Sequence, residues 1–187
     1  DILVLKNNKG TEDNRVRKLD YSIQISQLFY QRFITNEDIT LFSPHSVPGL
    51  YEAFGTPEFD KLYEKYERAT SVPKTKVSAR DLFTNMLKER AETGRIYIMN
   101  IDHCNSHSSF TDKVNMSNLC QEITLPTDPL THIDGDGEIA LCILSAINVG
   151  TIKLEELSNL CDLAVRGLEE LIDFQEYPVE AAKRSTK

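Results

Sequence analysis

The sequence predicts an α/β fold, either an α/β layer or part of a barrel. Two observations carry this. Helical apolar periodicity fills much of the first half and returns near the end, and short β-branched, aromatic runs bounded by turn residues fill the space between. Helices alternating with short buried strands are the pattern of α/β architectures, and the strands counted here are too few to close a barrel alone.

Taken in order, Asn7-Asn8-Lys9-Gly10-Thr11 is a turn cluster. Over residues 19–34 the apolar positions Leu19, Ile23, Ile25, Leu28, Phe29 and Phe33 keep a mostly helical period, which predicts one amphipathic helix. Ser43-Pro44-His45 and Val47-Pro48-Gly49 break the chain. Phe59, Leu62, Tyr63 and Tyr66 fall at i, i+3, i+4 and i+7, one face of a helix. A second helix is expected over residues 78–93, with Ser78 as N-cap and Gly94 as its stop.

The texture then changes. Residues 95–101 (Arg-Ile-Tyr-Ile-Met-Asn-Ile) read as a strand, as do residues 119–125 and 138–149, with a turn-rich stretch over residues 127–137 between the last two. Val149-Gly150 closes that region. A long helix follows over residues 154–172, its apolar side carried by Leu157, Leu160, Leu163, Ala164, Leu168 and Leu171. Residues 179–187 form a charged, helix-like end.

Composition narrows the class. The chain has 187 residues, 40% hydrophobic and 27% charged, the balance of a globular protein of about one domain. Its apolar runs fall well short of the roughly 18–20 residues that a membrane span needs. Net charge is −8, from 21 Lys+Arg against 29 Asp+Glu, so no basic footprint argues for nucleic acid. Four cysteines without a signal pattern point to reduced thiols and a cytoplasmic setting. The apolar opening Asp1-Ile2-Leu3-Val4-Leu5 and the charged end look cut, and the expectation is a piece of something longer.

The chemically informative stretch is Ser117-Asn118-Leu119-Cys120-Gln121-Glu122-Ile123. In an extended segment Asn118, Cys120 and Glu122 would share one face, about 6–7 Å apart at a rise of roughly 3.3 Å per residue. A nucleophilic cysteine wants a neighbouring cation, and a carboxylate does the opposite by disfavouring the thiolate. The pattern suits a thiol that keeps its hydrogen or loses it as an atom, beside a carboxylate able to take a hydroxyl proton and an amide able to hold a second hydroxyl. The competing reading is a buried cysteine with two incidental polar neighbours, since free cysteines are among the most buried residue types. Cys142, in the apolar run Ile139-Ala140-Leu141-Cys142-Ile143-Leu144, reads on its own as a core cysteine.

Asn118-Leu119-Cys120-Gln121-Glu122-Ile123, then Leu125-Pro126 and Gly137-Glu138-Ile139-Ala140-Leu141-Cys142, resembles the large catalytic subunit of class I ribonucleotide reductase. Leu3-Val4-Leu5-Lys6-Asn7-Asn8, Asp38-Ile39-Thr40-Leu41-Phe42-Ser43-Pro44, Val47-Pro48-Gly49-Leu50-Tyr51, Gly94-Arg95-Ile96-Tyr97-Ile98, and Tyr177-Pro178 with Ala181-Ala182-Lys183-Arg184 extend the resemblance over nearly the whole chain. It is loose over residues 110–116 and 128–136.

The resemblance implies that residues 1–187 are a partial catalytic barrel domain, part of a ten-stranded α/β barrel with a central finger loop. Cys120 would then be the radical cysteine that removes the ribose 3′ hydrogen atom, Glu122 the base for the 3′-hydroxyl and Asn118 a ribose contact. The backbone around Leu119 and Gln121 would line the substrate pocket. Cys142 would be one half of a redox pair whose partner lies upstream in the family; Cys104 and Cys161 are no substitutes, and no disulfide is expected within this chain.

The resemblance further implies a ribonucleoside diphosphate substrate, a homodimer of large subunits, a radical-generating small subunit bearing two metal ions, and thioredoxin or glutaredoxin as reductant. ATP and deoxynucleotide effectors would bind outside this segment, and the chain itself would hold no cofactor. Two alternatives stay open here: an adenosylcobalamin-dependent reductase, which shares an Asn-x-Cys-x-Glu finger, and an inactive piece that only associates.

Rival motifs are weaker. Asp102-His103-Cys104-Asn105-Ser106-His107 contains zinc-ligand types but lacks a second spaced pair, so a polar turn in which Asn105 and His107 satisfy backbone groups is the better reading. Asp134-Gly135-Asp136-Gly137-Glu138 starts like a calcium loop, but loop position twelve falls on Ser145, and an acidic turn is expected. Phosphate-loop motifs are absent, and Lys6, Lys9, Arg15 and Arg17 read as solvated charge. Cys161 lies on the apolar side of the last helix, where packing is expected.

Overall fold

A computed structural model describes residues 19–133 and 135–186. The expectations for the opening apolar run, the turn at residues 7–11, the nearby basic residues and Asp134 lie outside the described residues. The chain divides into two compact units, residues 1–124 and 125–187.

The first unit is α/β. Strand β1 (Ser22–Ile25) pairs in parallel with β4 (Tyr97–Asn100), and β2 (Asp38–Phe42) pairs antiparallel with β3 (Lys74–Ser78). Helices α1 (Gln27–Thr35), α2 (Leu50–Ala53), α3 (Phe59–Arg68), α4 (Ala79–Thr93) and α5 (Ile101–Ser106) surround them. The described residues therefore form two two-stranded sheets and no closed barrel.

The helix expected over residues 19–34 is instead a strand followed by a helix. Ile23 and Ile25 fit a period of two as well as a helical one, and the Ser26 hydroxyl accepts the Phe29 N–H (3.4 Å), starting α1 there. The helix over residues 78–93 forms as expected: Ser78 accepts the Asp81 N–H at 3.1 Å, and Gly94 ends α4 with φ 66°. Strand β4 starts two residues later than expected, because Ile96 adopts φ 65° and the Arg90 guanidinium caps its carbonyl at 2.6 Å.

A core of Ile25, Leu28, Phe29, Ile39, Val47, Leu50, Phe59, Tyr63, Ala79 and Met86 joins these elements. Phe83 stacks edge-on against Phe29, Tyr30 and Phe33, locking α4 onto α1. Beneath it runs a polar network: Arg32 holds Glu67 with two bonds (2.7 and 3.1 Å), Thr40 donates to Glu67 (2.6 Å), and the Tyr63 hydroxyl donates to the Thr40 carbonyl. A smaller cluster of Met99, Ile101 and Val114 leads toward residues 115–124.

The second unit holds a single-turn 3₁₀ helix (Leu154–Glu156), the long α6 (Leu157–Phe174) and α7 (Glu180–Thr186). The expected long helix is present. The strand expected over residues 138–149 is not, since no strand pairs with that run among the described residues. Its start is held by the Ile139 N–H donating to Ser185 Oγ (3.1 Å), and just before it Arg184 donates to the carbonyls of Gly135 and Gly137. No described helix is long and apolar enough to cross a membrane.

Candidate functional site

The cysteine segment begins where the small cluster ends. Val114 is fully buried, and its N–H and carbonyl are both bound by the Asn105 amide of α5, at 2.8 and 3.1 Å. Gln24 of β1 donates to the Asn115 carbonyl at 2.7 Å. Two residues later the chain closes on itself. Ser117 Oγ donates to the Ile123 carbonyl (2.6 Å), Asn118 Oδ1 accepts the Ile123 N–H (3.0 Å), and the Asn118 carbonyl accepts the Gln121 N–H (3.1 Å).

This geometry corrects the extended reading of residues 118–123. Asn118 captures backbone groups three and five residues on, so the chain turns at Leu119 and Cys120, and Gln121 takes φ 64°. The strict alternation of faces is lost: Leu119 is 61% exposed beside an exposed Cys120, with Glu122 also at the surface. The structure thus puts Asn118, Cys120 and Glu122 on one closed seven-residue loop rather than on one face of a strand. The described residues leave Cys120 exposed rather than buried. Gln121 keeps a buried side-chain oxygen with no partner in the described structure.

Cys142 lies in the second unit and is likewise exposed, which overturns its reading as a core cysteine. Cys161 on α6 is exposed as well, against the expectation that it packs, because no residue of α6 is buried. Cys104 alone is half-buried, against the Met99–Ile101–Val114 cluster, and burial raises its thiol pKa. None of the four cysteines is in a disulfide.

The segment read as a polar turn, residues 102–107, is mostly the short helix α5. Asn105 does satisfy backbone groups, and His107 Nδ1 lies 3.1 Å from the His103 carbonyl. Glu138, the last residue of the expected acidic turn, pairs back with Asp128, the Asp128 N–H donating to Glu138 Oε2 and the Glu138 N–H to the Asp128 carbonyl. Sequence reasoning missed Ser117 and Gln24 as parts of the site's framework. The one available signal was that Ser117 adjoins the Asn-x-Cys-x-Glu motif.

The first unit is thus an α/β unit that presents an exposed cysteine and a carboxylate on a self-closed surface loop. Comparison with known sequences gives the family. A profile described as "Ribonucleotide reductase, barrel domain" matches residues 1–187, and the chain belongs to that family. It is 57% identical to the ribonucleoside-diphosphate reductase subunit alpha of Haemophilus influenzae, over all of this chain and 26% of that protein. It is also 57% identical to ribonucleoside-diphosphate reductase 1 subunit alpha of Escherichia coli, over 98% of this chain and 25% of that protein. The subunit alpha of Enterobacteria phage T4 is 40% identical over the whole chain and 26% of its own length. The chain thus spans about a quarter of the length of these relatives.

Proposed function

We propose that this chain is part of the catalytic barrel of a ribonucleoside-diphosphate reductase α subunit, and that Cys120 is its hydrogen-abstracting cysteine. The observation that carries the reading is the loop itself: an exposed thiol at a turn closed by Ser117 and Asn118, with a carboxylate two residues on. The names of the relatives favour a diphosphate reductase with separate subunits over an adenosylcobalamin enzyme.

In this reading the Cys120 thiyl radical takes the 3′ hydrogen atom of the ribose; an S–H bond forms and a C–H bond breaks. Glu122 accepts the 3′-hydroxyl proton, and Asn118 hydrogen-bonds the ribose. The pocket wall comes from the backbone around Leu119 and Gln121. The 2′ oxygen leaves as water, and the two electrons come from a dithiol of Cys142 and a cysteine outside these 187 residues, which ends as a disulfide. Cys120 then returns its hydrogen atom to the 3′ carbon and is again a thiyl radical. Thioredoxin or glutaredoxin restores that dithiol.

The radical is supplied by a small subunit carrying two metal ions, so this chain binds no cofactor. Two large subunits pair, effector nucleotides bind beyond this segment, and the enzyme works in the cytoplasm. The complete barrel has ten strands around the finger, and the 187-residue chain alone turns nothing over.

In the full-length subunit, Cys120→Ser should abolish deoxyribonucleotide formation with substrate binding retained; turnover by that variant overturns the reading. Glu122→Gln should slow the first step, because an amide cannot accept the hydroxyl proton. A wild-type rate would move the base role elsewhere.

A further inference from the structure

The Asp102–His107 motif has no part in the reaction just described, yet one of its residues holds the reactive loop. We propose that Asn105, with Gln24 as a second hold, is a positioning residue that fixes the root of the Cys120 loop; this rests on the reading of Cys120 above.

Asn105 binds Val114 as a neighbouring strand would. Its Oδ1 accepts the Val114 N–H (2.8 Å), and its Nδ2 donates to the Val114 carbonyl (3.1 Å) and to the Ile101 carbonyl (3.1 Å). Val114 has no exposed surface, so both backbone groups depend on this one side chain. Only an amide of this length offers one acceptor and two donors at that reach. Aspartate keeps the acceptor and loses the donors, and leucine has neither.

The surroundings press on the same amide. Gly55 has φ 81°, and a Cβ there would stand 2.6 Å from Ile101 Cγ1 and 2.9 Å from Asn105 Nδ2. The turn between α2 and α3 therefore closes directly onto α5 and the Asn105 amide, leaving no room for a side chain. Gln24 acts from the other side: on β1, in register with Met99, it donates to the Asn115 carbonyl at 2.7 Å.

Residues 114 and 115 are thus held from two elements of the first unit. Met116 is 66% exposed, and from Ser117 the loop is closed by bonds of its own, Ser117 Oγ to the Ile123 carbonyl and the Ile123 N–H to Asn118 Oδ1. The thiol of Cys120 inherits its position from that root. Hydrogen-atom abstraction needs the reacting atoms in near-contact, and a misplacement of about 1 Å can cost about a hundredfold in rate.

The test uses the full-length α subunit with its small subunit and reductant, and separates kcat from KM. Asn105→Leu should lower kcat by about a hundredfold with KM for the nucleoside diphosphate within about twofold of wild type. Asn105→Asp, which keeps the bond to the Val114 N–H, should recover part of that loss. Gln24→Leu should lower kcat by several-fold. Asn105→Leu and Gln24→Leu turning over at the wild-type kcat would overturn the inference, as would a fall in kcat matched by an equal rise in KM. If Asn105→Leu fails to fold, Asn105→Asp and Gln24→Leu decide, and wild-type kcat in both overturns it. Cys120→Ser assayed in parallel keeps the two claims apart: if it is inactive while the anchor variants are normal, only the anchor fails, whereas turnover by Cys120→Ser removes the reading on which the anchor rests.

Discussion

The two units of the chain solve the burial problem to very different degrees. The first carries ten residues in one core cluster, cross-linked by an aromatic stack and a satisfied polar network. The second is built around an eighteen-residue helix of which no residue is buried. Leu163, Val165, Leu171 and Phe174 are all more than half exposed, although α6 has the apolar content of a core helix. Helices draw most of their stability from packing an apolar face. The difference teaches that the site's framework and the Cys142 region differ in how far these 187 residues complete them, which accords with a chain matching about a quarter of its relatives' length.

The largest expected effect tests this contrast directly. Phe29→Ala removes a ring that is 8% exposed and stacks on Phe83, and should destabilise the first unit by about 3–5 kcal/mol in denaturant melts. Leu163→Ala on α6, with the side chain 57% exposed, should cost under about 0.5 kcal/mol in the same chain. Equal costs would mean that α6 is packed in solution and would break the comparison.

Next in size is the half-buried ion pair of Arg32 and Glu67. Burial pushes the Glu67 carboxyl up, but the hydrogen bonds from Arg32 and Thr40 and the Arg32 charge hold it, on balance, below its ordinary value. A depressed folded pKa contributes stability that is present above the unfolded value of about 4.3 and is lost as pH falls through the folded one. Glu67→Gln should cost about 1.5–3 kcal/mol at neutral pH and flatten the acid limb of the stability curve. An unchanged acid limb would show that the network does not govern it. Ser78→Ala, which removes the cap of α4, should cost about 1 kcal/mol as a shift in the urea midpoint.

How much of this was legible in the sequence divides along the same physical line. The ends of α4 were legible because Ser78 and Gly94 act on backbone within a turn of themselves. The split at Ser26 was not, because Ile23 and Ile25 satisfy two periods and only the parallel pairing with β4 decides between them. Residues 138–149 carry strand-like composition but have no pairing partner among the described residues. For the site, the motif drew Asn118, Cys120 and Glu122 together, while their arrangement was misread because the Asn118 side chain competes for backbone groups that a strand would leave to its neighbours. Asn105 was legible as a backbone-satisfying residue, but its target Val114 lies nine residues on, across a change of element.

The smallest expected effect sharpens the comparison most closely, because it sets the same chemistry in both units. Arg166 meets Asp162 on α6 at 3.0 Å, much as Arg32 meets Glu67 at 2.7 Å. The first pair is 75% and 55% exposed and the second 15% and 15%. Water and salt screen the exposed pair, and ordering two long side chains offsets most of its attraction, so Arg166→Ala should change stability by less than about 0.5 kcal/mol. That small cost should vanish in high salt, while the cost of Glu67→Gln persists, because a pair set among Thr40, Tyr63 and the core is poorly screened. A salt-resistant cost at Arg166 would mean that solvent does not reach α6 in the folded chain, and the contrast between the two units would have to be redrawn from that helix outward.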